Sequence, residues 1–212
     1  GYYIWASSDS TNFALYLQRM PVYQCPSDDR PTQFPNMRNY FGVTGGRDRT
    51  TYGWRGDIFT DGMFTINHWR RFADIRDGTS ATLAIGESVH NAFYGDAQMA
   101  GSSGTGYSPG LGPGYADPSQ GSPCAWVAGD GCNKPNCPMS TWSVGRGLRS
   151  TKWPINHSLF DPTMAANEEN DAPFGSFHSG GAHFVFADGH VGFLNDTIDF
   201  ATYQYLSTIE GR

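Results

Sequence analysis

Three histidines and an aspartate lie close together near the end of the chain, in the stretch FHSGGAHFVFADGHVGFL at residues 177–194. They are His178, His183, His190 and Asp188. Imidazole nitrogens and carboxylate oxygens bind metal ions and move protons in acid–base catalysis. The same stretch alternates apolar and polar residues around an Asp-Gly pair, which is typical of a β-hairpin. What these side chains can do depends on whether the hairpin brings them together.

A two-residue turn at Asp188-Gly189 predicts a register in which His183 faces Leu194. In that register His183 and His190 share one face but lie about 13 Å apart, too far to bind one ion. His178 precedes the first strand, so it is still farther from the turn. The opposite face carries four apolar side chains that must cover a core: Phe184, Phe186, Val191 and Phe193. We therefore interpret the stretch as a structural hairpin rather than a joint metal or acid–base site.

Composition limits the class of protein. The 212 residues carry a net charge of −6, which argues against binding to nucleic acid or to an anionic membrane surface. Only 16% of residues are charged, and 27 glycines and 13 prolines indicate a loop-rich protein with strands, as is common outside the cytoplasm. We expect one domain over 1–212 with an irregular insertion at about 100–173. The chain starts without Met, which favours a processed or truncated fragment.

Local patterns predict several further elements. Residues 10–20 suit a short helix capped by Ser10 or Thr11 and stopped by Pro21, and NYFGVTGG at 39–46 suits a strand that ends in glycines. The segment RRFADIRD at 70–77 predicts a short helix with Gly78 just after its end.

Two more elements follow towards the C-terminus. TLAIGE at 82–87 predicts a strand with Leu83 and Ile85 on one side, and the closing DTIDFATYQYLSTIEG predicts a helix capped by Asp196 or Thr197. Together these patterns indicate an α+β fold whose antiparallel sheet contains the 182–194 hairpin and the 82–87 strand.

The four cysteines favour disulfides over zinc. Three of them cluster in CAWVAGDGCNKPNC, where the spacing does not match the short Cys-x-x-Cys pairs of structural zinc sites. The disulfide candidates are Cys25, Cys124, Cys132 and Cys137. Sequence leaves three connectivities open; we favour a bridge inside 124–137, which would imply an oxidising compartment.

Carboxylates offer a second candidate chemistry. Glu87, Asp77 and Asp188 could converge as acids, with His178 as a partner. Asp77 and Asp188 each precede a glycine, however, and Asp-Gly pairs are typical of turns in which the aspartate bonds its own backbone. Because no nucleophile can be paired with a base from the sequence, we expect no catalysis.

Three segments, in order, resemble a known family. They are PVYQCPSDDRP at 21–31, IRDGTSATLAIGE at 75–87 and FGSFHSGGAHFVFADGHVGFL at 174–194, in which nine residues separate a histidine from an Asp-Gly pair. This combination resembles the prepilin-type processing-associated H-X9-DG family of planctomycete-type, pseudopilin-related proteins. The motif residues, which we interpret as structural, are His178, Asp188, Gly189, Asp77, Gly78 and Glu87.

The resemblance implies an extracytoplasmic, pilin-like head that assembles with itself or with other pilin-like subunits into a filament or a secretion-related surface structure. Family members carry a cleaved leader and a long apolar helix. Both are absent from this sequence, so membrane anchoring is implied only for a longer parent chain.

The insertion offers two further kinds of binding. Pseudopilin heads often hold calcium in a loop, and oxygen-rich segments here supply candidate ligands: Asp130, Asn133, Asp161 and Asp171. Aromatic side chains could stack on the sugar rings of a polysaccharide or form the insertion's own core: Trp126, Trp142 and Trp153. A polysaccharide-binding surface protein is thus the alternative function. No cofactor other than calcium is indicated.

Overall fold

The computed structural model describes residues 18–28, 38–53, 56–66, 68–89, 147–157 and 173–211. These residues form seven strands and one α-helix: β1 Tyr40–Val43, β2 Arg49–Gly53, β3 Gly56–Phe59, β4 Leu83–Glu87, β5 Leu148–Arg149, β6 Gly181–Phe186, β7 Val191–Asn195 and α1 Phe200–Leu206. The predicted helix at 10–20 falls almost entirely outside this part of the chain, as does most of the insertion at 100–173.

The main sheet has the strand order β5-β1-β4-β6-β7 within the described residues. All its neighbours are antiparallel except β5, which pairs parallel with β1. The α+β class is therefore confirmed, and the predicted antiparallel sheet is extended by one parallel strand, β5. The predicted strands at 39–46, 82–87 and 182–194 are all present, and β4 lies directly beside β6. Strands β2 and β3 form a separate pair.

The hairpin of β6 and β7 differs by one residue from the predicted register. His183 pairs with Phe193, not with Leu194. The Gly189 N–H donates to the Phe186 carbonyl at 2.9 Å, and the Phe186 N–H donates to the His190 carbonyl at 2.9 Å. Gly189 has φ +92°. The loop therefore holds three residues and ends in a left-handed glycine, a common hairpin geometry that a two-residue interpretation misses.

One extra loop residue turns the side chains of β7 to the opposite face of the sheet. Phe184 and Phe186 face the core, at 1% and 8% exposure, as predicted. Val191 and Phe193, predicted to join them, are instead 63% and 44% exposed. His183 shares this outer face, because its partner is Phe193. The outer face of the sheet is consequently more apolar than the sequence suggested.

A cluster of aromatic and aliphatic side chains packs under the inner face. Its buried members are Phe41, Val43, Leu83, Ile155, Phe174, Ala182, Phe184, Phe186 and Tyr203. Phe184 lies at the centre, with ring centroids 5.2 Å from Phe174 and 6.0 Å from Tyr203 of α1. Gly86 of β4 makes room for these rings, since a Cβ there would lie 2.5 Å from Phe174.

The orientation of two side chains on β4 differs from the prediction. Leu83 is fully buried and Ile85 is 36% exposed, so the two do not point the same way. The cause is a register irregularity between Leu83 and Ile85 in the pairing with β6. The predicted helix at 70–77 is only a 3-10 turn at Phe72–Asp74, and Gly78, with φ +89°, precedes a second turn at Thr79–Ala81.

The C-terminal helix is present but starts later than predicted. Asp199 caps it, because its side chain accepts a hydrogen bond from the Thr202 N–H at 2.8 Å. Asp196 instead accepts a hydrogen bond from the Asn156 amide, and the Thr197 N–H donates to Asn195. Among the described residues no helix is long and apolar enough to cross a membrane.

Candidate functional site

The candidate site is centred on Glu87, the last residue of β4. In the sheet Glu87 pairs with Tyr40 of β1, and its neighbour Gly86 pairs with Phe184 of β6. This register brings His183, the residue before Phe184, beside the carboxylate. Glu87 is only 1% exposed. A carboxylate in such a place is costly unless polar or cationic groups surround it.

Two histidines approach the two oxygens of this carboxylate. The Nε2 atom of His178 lies 3.5 Å from Oε1 of Glu87, and the Nδ1 atom of His183 lies 3.5 Å from Oε2. The His183 backbone N–H also donates to Oε2 at 3.3 Å. The rings of His178 and His183 meet edge to face at 4.8 Å. Both histidines therefore belong to one cluster with Glu87.

The segment around Cys25 closes the other side of the cluster. The sulfur of Cys25 lies 3.4 Å from Nε2 of His178, and the hydroxyl of Ser27 lies 3.4 Å from Nδ1 of the same ring. The Cys25 N–H donates to the side chain of Asn39 at 2.8 Å, and Asn39 in turn donates to Asp28 at 2.7 Å. These buried bonds fix the loop that precedes β1 and thereby place the thiol.

Burial raises the pKa values of two groups near Glu87, the Cys25 thiol and the Tyr40 hydroxyl. It raises the pKa of the Cys25 thiol above its ordinary value, and the neighbouring Glu87 raises it further. Burial likewise raises the pKa of Tyr40 to about 12, with the charges of Cys25 and Glu87 adding to the effect. Without a cation in the site, Cys25 is a neutral thiol near pH 7, and a neutral thiol is a weak nucleophile.

The cluster lines one side of an open cavity of about 520 Å³. The rest of the wall is mostly apolar and includes Val22, Ile85 and Val191. A few polar groups in an apolar cavity are typical of a ligand site.

The structure separates the predicted motif residues into two groups. It brings together Glu87 and His178, which the sequence offered as an acid and its partner, with Cys25, which the sequence offered only as a disulfide candidate. Asp188 lies in the hairpin turn, where its carboxylate is 2.6 Å from Nδ1 of His190 and accepts the His190 N–H at 3.0 Å. These bonds lower the pKa of Asp188. The turn interpretation thus describes Asp188 well, and the suggested convergence of acids does not occur there.

Asp77 is also remote from the cluster in its contacts. Its carboxylate accepts hydrogen bonds from the Gly211 N–H and from the hydroxyl of Thr208. It therefore links the C-terminal end of the chain to the segment that precedes β4. Gly78, with φ +89° and open space around it, allows the backbone to turn there. Asp77 and Gly78 therefore serve the fold.

Of the remaining candidate residues, the structure describes Cys25 and Trp153. Cys25 is a buried free thiol rather than a disulfide partner. Trp153 is half-buried and stacks on His157 at 4.8 Å. The other candidates lie outside the described residues: Cys124, Cys132, Cys137, Asp130, Asn133, Asp161, Asp171, Trp126 and Trp142.

Sequence reasoning missed three members of the site: His183, Tyr40 and Ser27. His183 was compared only with His190, and His178 only with the hairpin turn, so no contact between His178 and His183 was predicted. Ser27 follows Cys25 by two residues in PVYQCPSDD, which was the only local signal. Tyr40 is recognisable only once β1 is known to pair with β4.

The nine-residue spacing of the motif now has a physical explanation. Beyond the last residue of β6, the Ala187 and Asp188 N–H groups donate to the carbonyls of Thr82 and Thr79, in the 3-10 turn and the residue that precede β4. At the other end His178 meets Glu87, the last residue of β4. The interval from His178 to the hairpin turn therefore spans β4 together with the 3-10 turn that precedes it.

These observations define an α+β domain with a partly buried Glu-His-Cys cluster at one end of a mixed sheet. A family model matches residues 4–201, and its description is a protein of unknown function, DUF1559. The chain belongs to this family. No curated protein and no solved structure matches the chain.

Proposed function

We propose that this chain is the non-enzymatic, extracytoplasmic head of a pilin-like subunit, which assembles into or caps a filament or a secretion-related surface structure. Two lines of reasoning support it. The family match over residues 4–201 accords with the three segments that resemble pilin-like proteins. The observation that carries the proposal is the apolar outer face of the sheet.

That outer face has the character of an interface between subunits. Val191, Phe193 and Ile85 are 63%, 44% and 36% exposed, and Val22 nearby is 73% exposed. Val22, Ile85 and Val191 line the same cavity, so the exposed groups form one surface. Within the described part of the chain, β7 is the edge strand of this sheet. An apolar face at a sheet edge is an unfavourable surface for water and a favourable one for another subunit.

The enzyme alternative receives weaker support. His178 lies 3.5 Å from a carboxylate and 3.4 Å from a serine hydroxyl. A histidine close to a carboxylate or a serine is the arrangement that acid–base chemistry requires. The elevated pKa of Cys25 nevertheless leaves the thiol protonated. The polysaccharide alternative needs exposed aromatics in the insertion, and Trp153, the one of its three candidates within the described residues, is half-buried against His157. Assembly is therefore the function that we favour.

We expect the double variant Val191→Ser/Phe193→Ser to weaken self-association of the chain by about tenfold or more, because the few residues whose truncation costs over about 1 kcal/mol cluster at the centre of an interface. Sedimentation velocity over a concentration series measures this. The control is Phe72→Ser, which removes a 65% exposed phenylalanine from a turn outside the sheet and should leave association unchanged. A monomer at every concentration, or equal association of all variants, would contradict this use of the face.

A further inference from the structure

The buried cluster at the end of β4 has the composition of a transition-metal site. Cys25, Glu87 and His178 each present one ligand atom, and the three atoms lie within 4.8 Å of one another. We propose that these three residues bind a divalent metal ion of the zinc class, with His183 holding Glu87 in position. This inference is independent of the assembly proposed above.

The distances suit a tetrahedral ion. Zinc bonds to sulfur, nitrogen and oxygen measure about 2.0–2.3 Å, so the edges between ligand atoms in a tetrahedral site are roughly 3.3–3.7 Å. The sulfur of Cys25 lies 3.4 Å from Nε2 of His178, and that nitrogen lies 3.5 Å from Oε1 of Glu87. Two edges of the tetrahedron thus already have the required length, and a small movement of Cys25 or Glu87 completes the third.

The carboxylate of Glu87 provides a second observation that indicates a cation in this cluster. The Oε1 atom of Glu87 is buried and has no hydrogen-bond partner within the described part of the protein. Glu87 as a whole is 1% exposed, and among the residues that the structure describes no lysine or arginine lines the adjoining cavity. A buried carboxylate oxygen without a donor costs free energy, and a bound cation removes that cost. The oxygen that lacks a donor is the one that faces His178.

The chemistry of the donors selects the class of metal. One thiolate, one imidazole and one carboxylate suit zinc or a similar transition ion, whereas calcium requires several oxygen ligands. A bound ion would also convert the neutral Cys25 thiol into a thiolate ligand. The Nδ1 atom of His183, 3.5 Å from Oε2 of Glu87, occupies the position of an outer group that orients a ligand.

The fourth position is left for an outside ligand. All three proposed ligands line the cavity of about 520 Å³, so the open side of the ion would face that space. Three protein ligands and one open position differ from the four protein ligands of purely structural zinc sites. Water, or a small anion from solution, would complete the coordination.

Cobalt(II) provides the test, because its binding to a thiolate gives a charge-transfer absorption that zinc then abolishes by competition. The full chain is freed of metal with a chelator, kept reduced, and titrated with Co²⁺. We expect one ion per chain with the thiolate band, and at least a tenfold loss of affinity in Cys25→Ser and His178→Gln. The control His190→Gln should bind like the parent, because His190 lies in the hairpin turn against Asp188.

Two further measurements distinguish a loss of metal binding from a loss of folding. Circular dichroism establishes that each variant is folded, and X-ray absorption of the zinc-loaded parent protein gives the ligand set even if a variant fails to fold. One sulfur near 2.3 Å with nitrogen and oxygen near 2.0 Å supports the proposal. Absence of Co²⁺ binding, an unchanged thiolate band in Cys25→Ser, or a shell of several sulfurs from the other cysteines would overturn it.

Discussion

Replacing Gly181 with alanine is expected to lower the free energy of unfolding by about 3 kcal/mol or more. A Cβ on Gly181 would lie 2.0 Å from the carbonyl oxygen of Leu194 on the paired strand. That oxygen belongs to the backbone, so only separation of β6 from β7 can relieve the clash, and overpacking of this kind costs 1–3 kcal/mol or more. Urea unfolding followed by circular dichroism measures the loss.

A second hairpin glycine provides the control. Gly189 has φ +92°, but a Cβ there would meet nothing within 4 Å. Gly189→Ala should therefore cost only the strain of a left-handed alanine, about 1–2 kcal/mol. The comparison separates steric exclusion from backbone strain. Equal losses for the two variants would show that close packing of β6 against β7 at Gly181 is not what requires glycine.

The second large effect is expected for Phe184→Ala, which should lower the free energy of unfolding by about 3–5 kcal/mol. Phe184 is 1% exposed and packs between Phe174 and Tyr203. Removing its ring leaves a cavity between the sheet and α1 that neither neighbour can fill without leaving its own contacts. Thermal and urea unfolding of the variant, analysed together, give the change in stability.

Phe193→Ala is the matched control, because Phe193 lies on the same hairpin but on its outer face. Its ring is 44% exposed and touches His183 at 5.0 Å between centroids. We expect a loss below about 1 kcal/mol, as for most surface substitutions. The register predicted from the sequence would place both phenylalanines in the core. Similar large losses for the two variants would therefore favour that register over the observed one.

The proposed metal and the proposed assembly involve one region of the molecule but different atoms. The proposed metal ligands line the cavity through their sulfur, nitrogen and oxygen atoms, whereas Val191 and Phe193 offer exposed apolar side chains on the outer face of the sheet. The two proposals can fail separately, since one is read from sedimentation and the other from cobalt spectra.

Much of the fold follows from local sequence patterns. Alternating residues around Asp188-Gly189 predicted the β6–β7 hairpin, and the apolar runs near 40 and 83 predicted β1 and β4, because strand propensity and turn chemistry act over a few residues. The Asp188-Gly189 pair was correctly interpreted as a turn for the same reason, whereas the Asp77 carboxylate binds Gly211 and Thr208 rather than its own backbone.

Only the tertiary structure decided the register and the site. A hairpin loop of three residues instead of two turns the side chains of β7 to the opposite face of the sheet. The length of this loop depends on one left-handed glycine and on how β6 pairs with β4. Cys25 and His178 are 153 positions apart in the chain, and Glu87 lies between them. No local pattern can bring such residues together, because their meeting depends on the order in which β1, β4 and β6 pair across the sheet.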